Sequence, residues 1–285
     1  MEIGAIVPFA IRNKGTSHIG QNAKTRNVML PKTRDQEYEH RKRKRELEVD
    51  IIIESIMTCL RRTSVVRDKT DIDIFEFGTG DGFQIAYLTE IGNVVASDIY
   101  TSDGVKRLKD IKFIECSITD APFRDGQFHI VFASQVIPDL TDIKNGLRET
   151  QRIGKSSSLY AFSVPTNLWL LLSLPALYYN KLRNGVTTYQ RDSKLKKLLR
   201  TVLPEGRGRW NFLECYRNFK IRNWQRLFTE SGFSVIEVKP LLLYGPSEWP
   251  IIPTSTCKTN FCSSVLFLMM KRQNPLEPAQ ASLAG

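Results

Sequence analysis

Short apolar runs alternate with helical patterns through most of the chain. The runs are bounded by Gly, Pro, Asn and Asp, and between them apolar residues recur every three or four positions. The pattern predicts strands at 72–77, 93–98, 112–116, 128–133, 159–164, 233–239 and 264–271, and helices at 35–62, 83–91, 142–153 and 221–231. Strands that alternate with helices at short spacing predict an α/β fold with a doubly wound, mostly parallel sheet.

Residues 165–220 break this alternation and are predicted to form an insertion over the carboxyl edge of the sheet. Segment 159–179 has no charged residue, but its first six residues belong to the fifth strand and Pro175 interrupts the remainder. The remaining stretch, 168–179, is too short to cross a bilayer. We expect it to form a buried cap helix, with a helix that faces lipid as the alternative.

The two ends of the chain differ in character from its middle. Residues 1–34 are polar and are predicted to be a flexible basic arm, whereas 35–62 is a helix with one apolar side and a basic front end. Residues 35–272 are expected to form one domain, and 273–285 a disordered tail.

Composition narrows the class of protein. The 285 residues are 41% hydrophobic and 25% charged, which excludes wholesale disorder and fits one domain with an insertion. Five cysteines without a CxxC pair argue against a disulfide framework or a metal site and favour a reduced setting. The first thirty residues hold no continuous apolar stretch, so we expect a cytoplasmic protein, with peripheral attachment to a membrane left open.

The net charge of +11 is concentrated in two segments. Residues 181–226 hold thirteen Lys and Arg against three acidic residues, and residues 1–50 hold eleven against seven. Such segments are either solvated surfaces or binding sites for an anionic partner, namely a phosphorylated small molecule, a membrane surface or a nucleic acid.

A glycine-rich turn follows the first predicted strand. Glu76 precedes Gly78, Gly80 and Gly82, and Asp98 ends the next strand twenty residues after the first of these glycines. Glycines permit a sharp turn and close approach of a ligand to the backbone, and a carboxylate at the next strand accepts hydrogen bonds from a ribose diol. The pattern indicates an adenosine-type ligand, and the absence of a GxxxxGK[ST] sequence excludes a P-loop.

Four motifs in order resemble those of the class I S-adenosylmethionine-dependent methyltransferases, type 11 in particular. They are 76–82, 97–99, 113–131 and 147–153, and Gly232-Phe233 fits the turn before the sixth strand. The resemblance implies a Rossmann-like, seven-stranded sheet whose last strand is antiparallel, with a helical N-terminal cover and an insertion after the fifth strand. It also implies S-adenosylmethionine as the cofactor.

The resemblance assigns cofactor-binding roles to particular positions. Glu76 and the backbone of Gly78, Gly80 and Gly82 would hold the methionine portion, and Asp98 the ribose. The remaining positions are those near the adenine, Ile99, Ser117 and Ile118, and those facing the methyl group, Ser134 and Gln135. The family usually has Asp where Ser117 and His129 stand. We expect His129 to be a packed structural residue.

The activity that the resemblance implies is methyl transfer to a small-molecule, glycan or lipid-linked acceptor, and we expect the methylated atom to be an oxygen. Asp139, Glu214 and Tyr216 lie within reach of a substrate, but no catalytic base is assigned. The sequence Ala133-Ser-Gln-Val136 lacks the motifs of DNA-methylating enzymes. An RNA-modifying methyltransferase and a non-catalytic cofactor-binding scaffold are the alternatives. Aromatic residues among the basic ones, at 210, 212, 216, 219 and 224, suit lipid headgroups or single-stranded nucleic acid.

Overall fold

A seven-stranded sheet forms the centre of the computed structural model, which describes residues 34–63, 71–108, 111–184, 206–207, 210–245, 251–252 and 261–272. The strands are β1 (Asp73–Phe77), β2 (Asn93–Asp98), β3 (Lys112–Glu115), β4 (Phe128–Ser134), β5 (Gly154–Pro165), β6 (Phe233–Pro240) and β7 (Ser264–Lys271). Their order is β3-β2-β1-β4-β5-β7-β6. The first five pair in parallel, and β7 runs antiparallel to both neighbours. The predicted fold class is confirmed.

Helices cover both faces of this sheet. They are α1 (Arg34–Arg62), α2 (Ile85–Leu88), α3 (Asp103–Lys106), α4 (Ile143–Ile153), α5 (Asn167–Asn184), α6 (Phe212–Asn218) and α7 (Ile221–Glu230). On one face, Ile52 and Ile56 of α1 belong to a core with Leu88 of α2. On the other face, Leu147 of α4 and Phe228 of α7 belong to a largely aromatic core. Because both faces are covered, the central strands are nearly continuous apolar runs.

The strand order places a crevice at the carboxyl ends of β1 and β4. From β1 the chain continues to β2 on one side, whereas β4 pairs with β1 on the other side. Such a reversal opens a gap between the loops that leave the two strands, and ligands of doubly wound proteins bind there. The glycine-rich turn after β1 therefore lies at the expected position for a ligand.

Three predicted elements differ from the structure by more than one residue at an end or in their continuity. The helix predicted at 83–91 is only Ile85–Leu88, because turns with positive φ at Gly80 and Gly82 occupy the approach to it. Strand β5 begins at Gly154, which pairs with Phe128 before an irregularity in the register. Pro175 does not interrupt its helix, which continues to Asn184 with the proline on an exposed side. A proline ring and its missing N–H are tolerated better where solvent meets the helix.

Some predictions fall on residues that are not described. These are the arm at 1–33, residues 185–205 of the insertion and the tail at 273–285. The parts of 165–220 that are described form α5 and α6, outside the strand and helix alternation, as predicted. Within the described ranges, no helix combines the length and the apolar character that crossing a bilayer requires.

Candidate cofactor and acceptor site

The turn after β1 is held by backbone hydrogen bonds to its neighbour strand and to itself. The Thr79 N–H donates to the Ser97 carbonyl of β2 at 3.1 Å, and the Gly82 N–H donates to the Thr79 carbonyl at 3.0 Å. The glycines at 78, 80 and 82 all have positive φ, between 60° and 78°. Since residues with a Cβ rarely adopt this conformation, the turn requires glycine at each position.

The three glycines have different surroundings. A Cβ on Gly78 would lie 2.3 Å from Cγ2 of Val136, and one on Gly82 would lie 2.6 Å from Cδ1 of Leu108. A Cβ on Gly80 would meet no atom within 4 Å. That the backbone of the three glycines holds the methionine portion stays a prediction. Gly78 and Gly82 make room for protein side chains, and Gly80 alone of the three faces open space.

The Glu76 carboxyl lies inside the turn. It is only 1% exposed and accepts a hydrogen bond from Thr79 Oγ1 at 2.8 Å. Burial raises the pKa of Glu76 to about 8, and the nearby carboxylates of Asp81 and Asp98 act in the same direction. A cationic amino group beside this carboxyl would favour its charged form, so the site is suited to one.

Asp98 joins the end of β2 to the glycine turn. Its Oδ2 accepts from the Gly80 N–H at 2.8 Å, and its Oδ1 accepts from the Ile99 N–H at 2.7 Å. Ser102 supports the same turn from the other side, because its hydroxyl donates to the Gly80 carbonyl at 2.6 Å. Each carboxylate oxygen retains a further lone pair, which is what a ribose diol requires. Ile99 is the next residue in the sequence, and its side chain is 70% exposed.

Ser117 and Ile118 follow β3 and begin a short 3₁₀ turn, Ile118–Asp120. Ser117 Oγ lies 2.8 Å from Thr119 Oγ1 and accepts from the Thr119 N–H. The Ile118 side chain is buried in the core and would contact a Cβ on Gly146 of α4. The Ile118 side chain thus packs into the protein, and the placement of Ser117 and Ile118 at the adenine edge stays a prediction.

The loop after β4 carries an unusual backbone conformation. Gln135 has φ of 61°, the one positive value at a non-glycine position in the part of the chain that the structure describes. Its N–H donates to the Ser163 carbonyl at 2.9 Å, and Ser134 Oγ lies 3.0 Å from Ser163 Oγ of β5. Strained conformations of this kind concentrate at functional sites. Ser134 and Gln135 lie at the carboxyl end of β4, next to Val136, which contacts the glycine turn. That they face the methyl group stays a prediction.

A family model described as a methyltransferase domain matches residues 75–162, from β1 through most of β5. The chain contains a class I S-adenosylmethionine-dependent methyltransferase domain. The resemblance drawn from the sequence motifs is confirmed, and S-adenosylmethionine is the cofactor. No curated protein matches the sequence.

Two solved structures share the fold of this methyltransferase. One is a SAM-dependent methyltransferase, possible histamine N-methyltransferase, from Thermotoga maritima, with 15% identity, a TM-score of 0.52, and 84% of this chain and 96% of that chain covered. The other is an S-adenosylmethionine-dependent methyltransferase from Clostridium acetobutylicum, with 11% identity, a TM-score of 0.50, and 80% and 92% covered. At these identities the likeness concerns the fold alone.

The residues around the turn of the methyltransferase fit this cofactor. Gly80 faces open space between the ends of β1 and β2. In the sequence, Glu76 precedes Gly80 and Asp98 follows it, so each supplies a carboxyl group to this turn. S-adenosylmethionine carries an ammonium group and ribose hydroxyls, which are hydrogen-bond donors that two carboxylates match. The open space at Gly80 and the two carboxyl groups therefore suit S-adenosylmethionine.

Arg207 connects the insertion of the methyltransferase to the loop after β4. Its guanidinium bonds both Asp139 carboxylate oxygens, Nη2 to Oδ2 at 2.9 Å and Nε to Oδ1 at 3.3 Å. Nη2 also donates to the Gln135 carbonyl, and the guanidinium carbon lies 5.8 Å from the centre of the Trp169 ring. The sequence analysis did not select Arg207, because it is one of thirteen basic residues in its segment and its partners are 68 and 72 residues away.

The other two residues expected within reach of a substrate have local surroundings. Glu214 and Asn211 form a capping box at the start of α6, in which each side chain accepts from the other's backbone N–H at 2.9 Å. Tyr216 is 36% exposed, with Lys220 Nζ 5.6 Å from its ring centre. Glu214 therefore has a structural role in the helix start.

Helix α1 reaches the cofactor edge with its basic half. Arg45 forms an ion pair with Asp81 of the glycine turn, and its guanidinium lies 5.7 Å from the Phe83 ring centre. One turn further, the buried Glu48 pairs with Lys44 at 3.3 Å and accepts a hydrogen bond from Ser264 at the start of β7. The predicted helical N-terminal cover is confirmed, and these contacts anchor it at the carboxyl edge.

Most aromatic residues of the basic segment point inward. Phe212, Phe219 and Trp224 are at most 8% exposed, and Trp210 packs against this core. The Trp224 indole N–H donates to the Pro165 carbonyl at 2.9 Å. The interpretation of these aromatics as a surface for lipid or nucleic acid is wrong for these four, because they attach the insertion to the sheet.

His129 lies at the opposite, amino edge of the sheet. It is 4% exposed, and its Nδ1 accepts from the Asp73 N–H at 3.0 Å. Lys155 Nζ lies 2.7 Å from its Nε2. The prediction of a packed structural histidine is confirmed.

Proposed function

We propose that the chain transfers the methyl group of S-adenosylmethionine to an oxygen of a small-molecule, glycan or lipid-linked acceptor. The observation that carries this proposal is the attachment of the insertion to the loop after β4 through Arg207. The insertion and the methyl-facing residues thereby form one continuous region beside the cofactor turn. An acceptor held by the insertion would lie next to Ser134 and Gln135.

The cofactor end of the site is assigned to the acidic and glycine positions. Glu76 would hold the amino group, Asp98 the ribose hydroxyls, and the bare backbone of Gly80 would admit the methionine portion. Ser117 and the exposed Ile99 would border the adenine. When bound, the cofactor supplies a methyl group on a sulfonium, which is already activated for displacement.

The protein's task in such a transfer is to hold the acceptor oxygen in line with the methyl group. Positioning of two reactants can supply ~7–11 kcal/mol of the barrier. Here the strained Gln135 is held from two sides, by the Ser163 backbone and by Arg207. The methyl leaves sulfur for the acceptor oxygen, whose proton passes to solvent or to a base, and S-adenosylhomocysteine remains.

The alternative of an RNA-modifying enzyme is less well supported. Single-stranded nucleic acid binds to stacking platforms of exposed aromatics, and four of the five candidates in the basic segment pack inward. An experiment distinguishes a non-catalytic scaffold from an enzyme, because a scaffold transfers no label from S-adenosylmethionine to an acceptor.

The test is transfer from labelled S-adenosylmethionine to separate pools of phenolic metabolites, glycans, lipid extract and RNA. Label in a hydroxyl-bearing small-molecule, glycan or lipid pool supports the proposal, and label only in RNA or in none of the pools contradicts it. Cleavage by hydriodic acid, which releases an oxygen-linked methyl group as labelled methyl iodide, and mass spectrometry of the product would distinguish an oxygen-linked from a nitrogen-linked methyl group.

The cofactor assignment has its own matched pair of variants. Asp98→Asn should weaken binding of S-adenosylmethionine, measured by calorimetry, by roughly tenfold or more, because hydrogen bonds to a charged group contribute ~1.5–3 kcal/mol. Asp103→Asn, on exposed α3, removes a carboxylate outside the proposed contacts and should leave the affinity unchanged. Equal affinities for the two variants would refute the ribose role of Asp98.

A further inference from the structure

Helix α5 exposes apolar residues on the side that faces away from the core. Leu171 and Tyr178 are each 39% exposed, and Pro175 between them is exposed as well. The spacing of four and three places these residues on one side of a helix. Leu170 and Ser173 are buried on the other side. Because α5 is apolar on both sides, its outer side is unlike the polar outer side of an ordinary surface helix.

Helix α6 also exposes apolar and basic residues. Leu213 is 53% and Tyr216 36% exposed, and Arg217 is exposed beside them. Lys220 follows, with its Nζ over the Tyr216 ring. Positions 213, 216 and 217 share one side of α6, whereas Lys220 follows the end of this helix in an extended conformation. The Asn167 N–H of α5 donates to the Phe219 carbonyl after α6 at 3.0 Å, so the two helices adjoin.

We propose that the outer sides of α5 and α6 bind the headgroup region of an anionic membrane. Leucine and tyrosine side chains enter the boundary between headgroups and acyl chains, while Lys and Arg bind the anionic headgroups. The segment 181–226, which contains α6, carries thirteen basic residues against three acidic ones, so its charge is complementary to such a surface. The helices lie on the membrane and do not cross it.

A lipid surface fits these residues better than a nucleic acid does. Leu171, Pro175 and Leu213 have no group that contacts a phosphate or stacks on a base, whereas they gain free energy from leaving water. The insertion is also tied to the loop after β4 through Arg207. A membrane-bound α5 and α6 would therefore bring the acceptor side of the site close to the lipid surface.

The test is flotation of the full chain with vesicles of phosphatidylcholine alone and of phosphatidylcholine with phosphatidylglycerol. The protein should float with the anionic vesicles and much less with the neutral ones. Leu171→Glu and Leu213→Glu should each lower the partition coefficient by roughly tenfold, since each loses apolar contact and adds a repelled charge. Ile236→Glu on β6, a position that is also 39% exposed, is the control and should float like the unchanged protein.

A second pair of variants tests the basic residues. Arg217→Gln with Lys220→Gln should reduce partitioning roughly 25-fold, because each basic residue near an anionic surface contributes a factor of about five. Lys144→Gln with Arg148→Gln removes the same charge from exposed positions of α4 and should have little effect. Circular dichroism of each variant confirms that it is folded.

Two results would overturn the proposal. One is an unchanged protein that stays at the bottom with anionic vesicles, including one that instead binds RNA in a salt-dependent manner. The other is equal flotation of Leu171→Glu, Leu213→Glu and Ile236→Glu. Cofactor binding and methyl transfer to water-soluble acceptors do not depend on this surface, so a failed flotation leaves the proposed function standing.

Discussion

Alanine at Gly78 and alanine at Gly80 add the same methyl group at nearly the same φ, but their surroundings differ. Both variants place a Cβ in the left-handed conformation, which costs about 1–2 kcal/mol. At Gly80 the new carbon meets no atom within 4 Å, so no further cost is expected. At Gly78 it would lie 2.3 Å from Val136 Cγ2, far inside a normal contact, and overpacking of this kind costs another ~1–3 kcal/mol.

Cofactor binding, in contrast, should be weakened more by Gly80→Ala than by Gly78→Ala. A Cβ at Gly80 projects into the open space where the cofactor's methionine portion is proposed to lie, so Gly80→Ala should bind S-adenosylmethionine at least about tenfold more weakly. Its free energy of unfolding should nevertheless fall less than that of Gly78→Ala. Calorimetry measures the affinity for S-adenosylmethionine, and urea unfolding measures the free energy of unfolding.

A double-mutant cycle isolates the contact at Gly78. Val136→Ala removes both methyl groups but keeps its Cβ, which would lie 2.7 Å from the new carbon. The combined Gly78→Ala and Val136→Ala variant should therefore recover only part of the ~1–3 kcal/mol overpacking cost relative to the sum of the single changes. The reasoning would be refuted by equal destabilisation of Gly78→Ala and Gly80→Ala, or by an unchanged cofactor affinity of Gly80→Ala.

Two further predictions concern charged groups. Because the pKa of Glu76 is raised from 4.5 to about 8 in the folded chain, the stability of the cofactor-free protein should be greatest at low pH on this account and fall as the pH rises from about 4.5 to 8. Urea unfolding should show a slope of at most ~1.4 kcal/mol per pH unit that Glu76→Gln removes, and a slope that persists in this variant would exclude Glu76 as its source. Arg207→Lys, which loses the two-point bond to Asp139, should lower the rate of methyl transfer with cofactor affinity unchanged, measured by labelled turnover and calorimetry. A matched Arg217→Lys change should affect neither quantity, and a loss of cofactor affinity in Arg207→Lys would contradict its assignment to the acceptor side.

Predictions from local sequence were accurate where burial and backbone chemistry act over a few residues. The bounds of β2 and β7 match the predicted ranges, since each has an apolar core that polar residues bound at both ends. The glycine turn and Asp98 could likewise be located from the sequence. A positive φ favours glycine, and a carboxylate at the end of an apolar strand is visible within one short segment. Helix α1 was visible from its apolar spacing alone.

What only the tertiary structure decided concerns groups that meet across the chain. Val136 occupies the space over Gly78, and Arg207 reaches Gln135 from 72 residues away. Trp224 reads as one aromatic residue among basic ones, yet it is buried because its indole N–H reaches the end of β5. The amino-acid sequence thus determined the sheet and the cofactor turn, which arise from short-range periodicity and backbone preference. The side on which we propose that the acceptor binds arises from packing between distant segments, for which a single sequence carries no local signal.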